Sequence, residues 1–348
     1  MWTVKTARQV YRHVSSGYYA KTATISVRLF ASHANLPSTP ISIKVSKAEV
    51  EAGKLGWRNV EIATRALHRD GLVVLEDLIK HENLDKLNKK MVKDAYVLQA
   101  MGDDGPFNYN KGNIQQDPPL TEQWWDPSIF VNPIVTQVTS TSLGPNPRLS
   151  FVSGNTALPP SADDGESQPQ AQPTHTDADF DHPASPFALV VNVPLVTMTP
   201  ANGSTEVWLG THTGSDLSVQ EGRHGERASG RIREELLRQR REVRPPSQPV
   251  VPKGAVVVRD LRLWHGGMPN LSKDPRVMLA MIHFAPWYRN PMFVEFANEL
   301  RPALSNERTG LQVQGTFIPE EEVEKRYLNK PYGNAYDFSQ QQPVEGIF

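Results

Sequence analysis

The chain has 348 residues, of which 38% are hydrophobic, and its 37 basic and 38 acidic residues leave a formal net charge of −1. This balance gives no reason to expect nucleic-acid binding, and no apolar stretch approaches the length of a membrane span. Cysteine is absent, which excludes disulfides, thiolate metal ligands and cysteine nucleophiles. The length allows one large domain or two small ones, and 29 prolines favour loops and strand edges over long helices.

The N-terminal residues 1–48 differ in composition from the rest. Five of the first 28 residues are lysine or arginine, and no acidic residue precedes Glu49. A basic, hydroxyl-rich and acid-poor segment is typical of a mitochondrial transit peptide, and Arg28 is placed for cleavage after Phe30. We therefore expect a mitochondrial protein. A peroxisomal location is an alternative, because the segment nearly matches a peroxisomal signal, and a cytoplasmic location is another, because the segment could be a disordered tail. Residues 49–348 are predicted to form a single domain.

The following elements can be predicted from periodicity and breakers. Apolar residues recur at helical spacing in 58–69 and in about 80–101. Residues 107–125 are polar and aromatic, as expected of a lid over the substrate or of a cover on a barrel edge. Two strands around a proline-containing turn are predicted within 133–153, and the proline- and acid-rich residues 158–172 are predicted to form a mobile loop.

His175 and Asp177 follow this loop, and they are separated by one residue. In an extended segment, residues i and i+2 point to the same side, so both side chains can reach one ion. A second histidine, His265, closes the apolar segment 254–265, which is predicted to be a buried strand running into the site. Two imidazoles and one carboxylate are the set that holds a non-haem Fe(II) ion on one face and leaves the other face open.

Arg276 lies eleven residues after His265 and opens the apolar strand predicted for 276–284. An arginine at a strand entrance can offer its rigid fork to a carboxylate. The arginine-rich residues 223–244 are interpreted as a solvated helix, because their charges alternate in sign, rather than as a clamp for an anionic substrate such as a coenzyme A ester. The remaining histidines and tryptophans are interpreted as core or surface residues, with Trp264 the least certain because it adjoins a ligand.

The order of these motifs resembles the phytanoyl-CoA dioxygenase family, and the resemblance is closest to its fungal branch. It covers roughly residues 58–300. The segments that carry it are 66–76, His175 with Asp177, 202–212, 259–267 and Arg276.

The resemblance implies a mainly β fold with flanking helices, namely a double-stranded β-helix or jelly-roll, cupin-like barrel. Fe(II) would be bound by His175, Asp177 and His265, and the far carboxylate of 2-oxoglutarate by Arg276. Gln172 and Thr205 are further predicted contacts to this co-substrate. His212, in the Gly-Thr-His turn of the family, is interpreted as structural, and Gly267 stands where some relatives carry a hydroxyl residue.

The function that the resemblance implies is that of an Fe(II)- and 2-oxoglutarate-dependent dioxygenase. It would use dioxygen to oxidise, and first of all to hydroxylate, a C–H bond of a small organic substrate, with ascorbate in support. The presence of Asp177 argues against a halogenase, which needs that position for a halide. Two alternatives remain open, a zinc-type hydrolase or isomerase on the same barrel and an inactive barrel that binds a ligand. The sequence specifies neither the substrate nor the oligomeric state.

Overall fold

A large mixed sheet forms one wall of the molecule. The computed structural model describes residues 36–160, 170–224, 229–304 and 310–328. Its strands are β1 Ile41–Lys44, β2 Leu72–Glu76, β3 Phe107–Asn108, β4 Asn110–Gln115, β5 Arg148–Ala157, β6 Ala188–Pro194, β8 Val256–Asp260, β10 Arg276–Phe284 and β12 Gln312–Val313. They lie in the order β1-β2-β8-β6-β10-β5-β4-β3, with β12 also paired to β5.

A smaller sheet faces the inner side of the large one. Its regular part is the antiparallel pair β7 Thr205–Val207 and β9 His265–Gly267. Isolated bridges add His175 beside His265, and Ser247 beside Val207. Two facing sheets with connections that pass between them form the jelly-roll barrel expected from the sequence. A further parallel pair, β11 Val294–Ala297 and β13 Gly315–Ile318, lies outside both sheets.

Three of the helices, Trp57–Asp70, His81–Gln99 and Pro133–Leu143, cover the outer side of the large sheet. The longest, α2 and α3, agree with the two helices predicted from periodicity. The two faces of strand β10 therefore differ. Leu279 and Met281 belong to the core under the helices, whereas Met278, Ala280 and Ile282 line the interior cavity. The α-helices are α1 Lys47–Ala52, α2 Trp57–Asp70, α3 His81–Gln99, α4 Pro127–Phe130, α5 Pro133–Leu143, α6 Glu234–Val243, α7 Arg301–Leu304 and α8 Glu320–Arg326.

The prediction of two strands within 133–153 was wrong in its first half. Residues Pro133–Leu143 form helix α5, and only the second half belongs to a strand, β5. Asn132 caps the helix, since its side chain accepts hydrogen bonds from the backbone N–H groups of Ile134 and Val135 at 3.0 and 3.4 Å. A proline at the first helical position suits this start. The cap and the packing of the helix on the core outweigh the weak strand preference of its β-branched residues.

The structure describes parts of the other segments that the sequence analysis singled out. Residues 107–115 form the β3–β4 hairpin, which extends the edge of the large sheet, and Asn108 and Gln115 also line the cavity. Within the arginine-rich segment, α6 buries Leu236, Leu237 and Arg240 and exposes most of its other residues. The segment expected to target the chain lies mostly outside the described residues, as does most of the loop 158–172. No helix in the described ranges is long and apolar enough to cross a membrane.

Strand β1 lies inside the segment that the sequence analysis assigned to the N-terminal tail. It pairs in parallel with β2, from Ile41 beside Val73 to Lys44 beside Glu76. Just before this strand, the backbone carbonyl of Pro37 accepts hydrogen bonds from the guanidinium of Arg244. Arg244 in turn binds the carboxylate of Asp70, with Nη1 and Oδ1 2.8 Å apart. This buried ion pair therefore joins the start of the described chain to the end of helix α2.

We expect Asp70→Asn to lower the free energy of unfolding by about 3 kcal/mol, because it leaves the guanidinium of Arg244 buried without a counter-charge. The side chains of Asp70 and Arg244 are 0% and 1% exposed. Urea denaturation measures the change. The matched control on the same helix is Glu61→Gln, whose partner Arg65 is largely exposed, and this change should cost no more than about 0.5 kcal/mol. Equal effects of the two substitutions would contradict the prediction.

Candidate metal centre and co-substrate pocket

The structure brings His175, Asp177 and His265 together at the inner side of the small sheet. Their donor atoms lie within 4.8 Å of one another. Oδ1 of Asp177 is 3.8 Å from Nε2 of His175 and 3.7 Å from Nε2 of His265. Two backbone hydrogen bonds between the histidines, of 2.8 and 2.9 Å, form the bridge that fixes this arrangement. Residues that are 90 apart in sequence are thus held side by side.

The hydrogen bonds of the two imidazoles fix which nitrogen faces the cavity. Nδ1 of His175 lies 2.8 Å from the carbonyl oxygen of Pro173, and Nδ1 of His265 lies 2.9 Å from that of Leu263. A carbonyl oxygen can only accept, so each Nδ1 must carry the proton. Each Nε2 is therefore left with a lone pair directed at the same point, which is the arrangement that metal-binding histidines require.

The protonation states of the three groups also suit a metal. Burial lowers the pKa of both His175 and His265, which keeps the imidazoles neutral. Burial by itself raises the pKa of Asp177, but the charge of Arg259, the two neighbouring imidazoles and the hydrogen bond from Arg259 together outweigh it, and the pKa of the carboxyl is lowered overall. Two neutral imidazoles and one carboxylate on one side of a cavity fit an Fe(II) ion and leave its opposite side open.

The cavity lies between the two sheets and has a volume of about 120 Å³. Its floor consists of residues that lie side by side on the inner face of the large sheet. Phe151, Ile282 and Val190 form one apolar row, which ends in Arg259 on β8. The next row is more polar, with Ser153 and Asn192 on either side of Ala280.

Gln172 and Thr205 line the same cavity as the triad, whereas Arg276 lies next to its wall. The guanidinium of Arg276 is 1% exposed. Its Nη2 donates to the carbonyl oxygen of Gly203 at 2.8 Å, and its Nη1 donates to that of Asn155 at 3.3 Å. Among the described residues no carboxylate pairs with it, and its Nε has no hydrogen-bond partner. Burial lowers the pKa of Arg276 to about 10, so the group stays charged and lacks a counter-ion.

The glycine at position 267 is explained by the side chain of Gln172. The backbone N–H of Gly267 donates to Oε1 of Gln172 at 2.8 Å. A Cβ atom at this position would lie only 2.7 Å from the same oxygen. The space in which some relatives place a hydroxyl residue is thus occupied by the amide of Gln172, which also borders the cavity.

Sequence reasoning missed several residues at the site. Arg259 pairs with Asp177, Asn192 supports Arg259, and the ring of Tyr109 lies 4.7 Å from that of His175. A signal existed for the first two, because each is a polar residue that interrupts an apolar strand. No local signal marks Tyr109, which reaches the site from the β3–β4 hairpin with its backbone in the left-handed region, at a φ of 68°.

Trp264 and four histidines that the sequence analysis set aside, His182, His212, His224 and His283, lie outside the triad. His212 is buried close to Gly71. His283 is buried within hydrogen-bond distance of Thr139, at 3.0 Å, and burial lowers its pKa to about 3, so it is a neutral core residue. His182 stacks on Phe187, and His224 is exposed. Trp264 is buried, and its indole N–H donates to Ser215 at 3.0 Å, as expected of a core residue.

The sequence profile of the phytanoyl-CoA dioxygenase family (PhyH) matches residues 67–278, well over half of the chain. The chain belongs to this family. Solved structures that match the chain include the epimerase SnoN in complex with Fe3+, alpha ketoglutarate and nogalamycin RO, with 16% identity and a TM-score of 0.48 over 67% of this chain and 87% of SnoN. They also include the apoform of EctD from S. alaskensis, with 19% identity and a TM-score of 0.47 over 74% of this chain and 84% of EctD.

Family membership and the intact triad together make the chain a non-haem iron, 2-oxoglutarate-dependent dioxygenase. Both findings favour this function over the metal-dependent hydrolase and the inactive barrel that the sequence left open. When bound, the iron supplies oxygen activation coupled to the oxidative decarboxylation of 2-oxoglutarate. The chain supplies the three donors, the shape of the cavity and its polarity. Closeness to the fungal branch stays a prediction.

We expect the affinity of the dioxygenase for a divalent metal to fall by less than tenfold between pH 7.5 and 6.0. Protons compete with a metal only below the pKa of each imidazole, and the pKa values of His175 and His265 are lowered. A site with two histidines of ordinary pKa would lose about tenfold in affinity over this range. Titration calorimetry with Co(II) at both pH values measures the difference. A loss of tenfold or more would contradict the prediction.

We expect Gly267→Ala to destabilise the dioxygenase by about 1–3 kcal/mol, because the new methyl group overlaps Oε1 of Gln172. In a Gln172→Ala background the space is free, so the same change should cost at least about 1 kcal/mol less. Urea denaturation of the wild type, both single variants and the double variant gives this coupling. Additive effects would show that the clash at position 267 involves another group.

Proposed function

We propose that this dioxygenase hydroxylates an aliphatic C–H bond of a small organic substrate bound against the apolar row of the cavity floor. The reaction consumes dioxygen and 2-oxoglutarate and yields the alcohol, succinate and carbon dioxide, with one oxygen atom entering each of the alcohol and succinate. The observation that carries the proposal is the pair of imidazole Nε2 atoms beside one carboxylate oxygen, all directed into a cavity with a free opposite side.

The cavity wall supports two different binding regions. Towards Arg276 the wall is polar, with Asn155, Gln172 and Thr205, which suits the two carboxylates of 2-oxoglutarate. Arg276 itself has no carboxylate partner among the described residues, and a buried unpaired guanidinium is costly. We propose that the far carboxylate of 2-oxoglutarate supplies this counter-charge, with Gln172 and Thr205 as further contacts.

The apolar row supports the assignment of a C–H bond as the reacting group. Phe151, Val190 and Ile282 offer no hydrogen bond to a substrate, so they position a hydrocarbon part by shape and exclude water from it. This region lies on the side of the floor away from Arg276, because Ile282 and Arg276 are at opposite ends of β10. A mitochondrial location is part of the proposal and rests only on the composition of residues 1–48.

Succinate formation tests the proposal directly. Purified full-length protein with Fe(II), ascorbate and 2-oxoglutarate should form succinate, and Asp177→Ala should abolish this while circular dichroism shows that the fold is retained. Labelled dioxygen with extracts of small metabolites identifies the product, since hydroxylation adds one labelled oxygen atom to it. Turnover that depends on zinc and proceeds without oxygen would overturn the proposal.

We expect Arg276→Met to weaken 2-oxoglutarate binding by about tenfold to a hundredfold, because it removes charge-assisted hydrogen bonds to the far carboxylate. Calorimetry on the Co(II)-loaded protein measures this change. The matched ligand is 2-oxobutanoate, which keeps the chelating keto acid and lacks the far carboxylate, so its affinity should be nearly the same in both proteins. An equal loss for the two keto acids would rule Arg276 out as the carboxylate anchor.

A further inference from the structure

Arg259 lies beside the metal centre without being a ligand of it. It is on the inner face of β8, in register between Val190 of β6 and Leu72 of β2, and it lines the cavity. Its Nη2 donates to Oδ2 of Asp177 at 2.6 Å. Arg259 is buried, with 6% of its surface exposed.

The two oxygens of Asp177 therefore have different surroundings. Oδ1 faces the two imidazoles, at 3.7 and 3.8 Å from their Nε2 atoms. Oδ2 is occupied by the short, charge-assisted hydrogen bond from Arg259. A carboxylate can bind a metal through one oxygen or through both. With Oδ2 held by Arg259, Asp177 can offer only Oδ1.

The position of Arg259 is itself fixed from behind. Its Nε donates to Oδ1 of Asn192 at 3.2 Å. The amide of Asn192 is anchored in turn, since its Nδ2 donates to the carbonyl oxygen of Leu279 at 3.2 Å. The guanidinium is thus held at two of its nitrogens, one on the sheet side and one on the ligand side, and does not turn away from Asp177 easily.

We infer that Arg259 is a positioning residue of the metal centre, which keeps Asp177 in a one-oxygen binding mode. The inference rests on the proposed function, because it assumes that 2-oxoglutarate and dioxygen need coordination positions on the metal that the protein leaves free. An Fe(II) ion held by His175, Asp177 and His265 through one donor atom each would keep its remaining positions open for the keto acid of 2-oxoglutarate and for dioxygen. A second oxygen from Asp177 would fill one of these positions and compete with the co-substrate.

The substitution Arg259→Met tests this role, because it keeps much of the side-chain volume and removes both the charge and the donors. Titration of the variant with Co(II) should give a dissociation constant equal to that of the wild type within about threefold, or a tighter one, since a positive charge next to the metal is lost and Oδ2 becomes free. The dissociation constant of 2-oxoglutarate for the Co(II)-loaded variant should rise by about tenfold or more. The visible spectrum of bound Co(II), which reports coordination number, should differ from that of the wild type before 2-oxoglutarate is added.

Two further variants separate positioning from a general structural effect. Arg259→Lys retains a charge and one donor near Oδ2, so its 2-oxoglutarate affinity should lie closer to the wild type than that of Arg259→Met. Arg262→Met is the matched control, because it breaks another buried ion pair in the same segment, between Arg262 and Asp260, without touching Asp177. It should reduce the unfolding midpoint and leave the Co(II) spectrum and the 2-oxoglutarate affinity unchanged.

The outcomes distinguish a failure of the role inferred for Arg259 from a failure of the proposal that 2-oxoglutarate is the co-substrate. Parallel losses of Co(II) and 2-oxoglutarate affinity in Arg259→Met, or no change in either, would overturn the role of Arg259. If the wild-type Co(II) protein itself fails to bind 2-oxoglutarate, the co-substrate assignment fails, and the Co(II) spectra of the wild type and Arg259→Met still show whether Arg259 controls the binding mode of Asp177.

Discussion

The reciprocal pair of backbone hydrogen bonds between His175 and His265 is the interaction on which the site depends. It joins two distant parts of the chain in one antiparallel bridge of the small sheet. The two rings then lie with their centroids 4.4 Å apart, and each is oriented by a carbonyl two residues before it in sequence. Because both the bridge and the ring orientation come from backbone atoms, the metal geometry is built into the sheet rather than into a flexible loop.

The large sheet contributes the chemistry of the opposite wall. Helices pack against its outer face, and its inner face lines the cavity. The outer face therefore carries apolar side chains, whereas the inner face carries both apolar and polar ones. Polar residues such as Asn192 and Arg259 are tolerated on the inner face because they bind each other and the carboxylate of Asp177. The same alternation of side chains along each strand thus separates the residues that stabilise the fold from those that shape the site.

Much of this arrangement was predictable, and the exceptions have physical reasons. Local features can be recognised in the sequence alone. They include the spacing of His175 and Asp177, the order of the later motifs and the periodicity of helices α2 and α3. Helix α5 was predicted as a strand because its β-branched residues are typical of strands, whereas the cap by Asn132 and the packing of the helix on the core favour the helix. The pairing of Arg259 with Asp177 links residues 82 apart in sequence, and only the register of the sheets determines such a contact.

The hydrogen bonds from Arg244 to the carbonyl of Pro37 bear on how far the N-terminal end of the chain can be shortened. Removal of residues 1–30 would keep this carbonyl and the whole of β1. A start point beyond Pro37 would instead leave a buried arginine with two unused donors at the seam between β1 and helix α6. The latest safe start for a shortened recombinant protein is therefore set by one backbone oxygen.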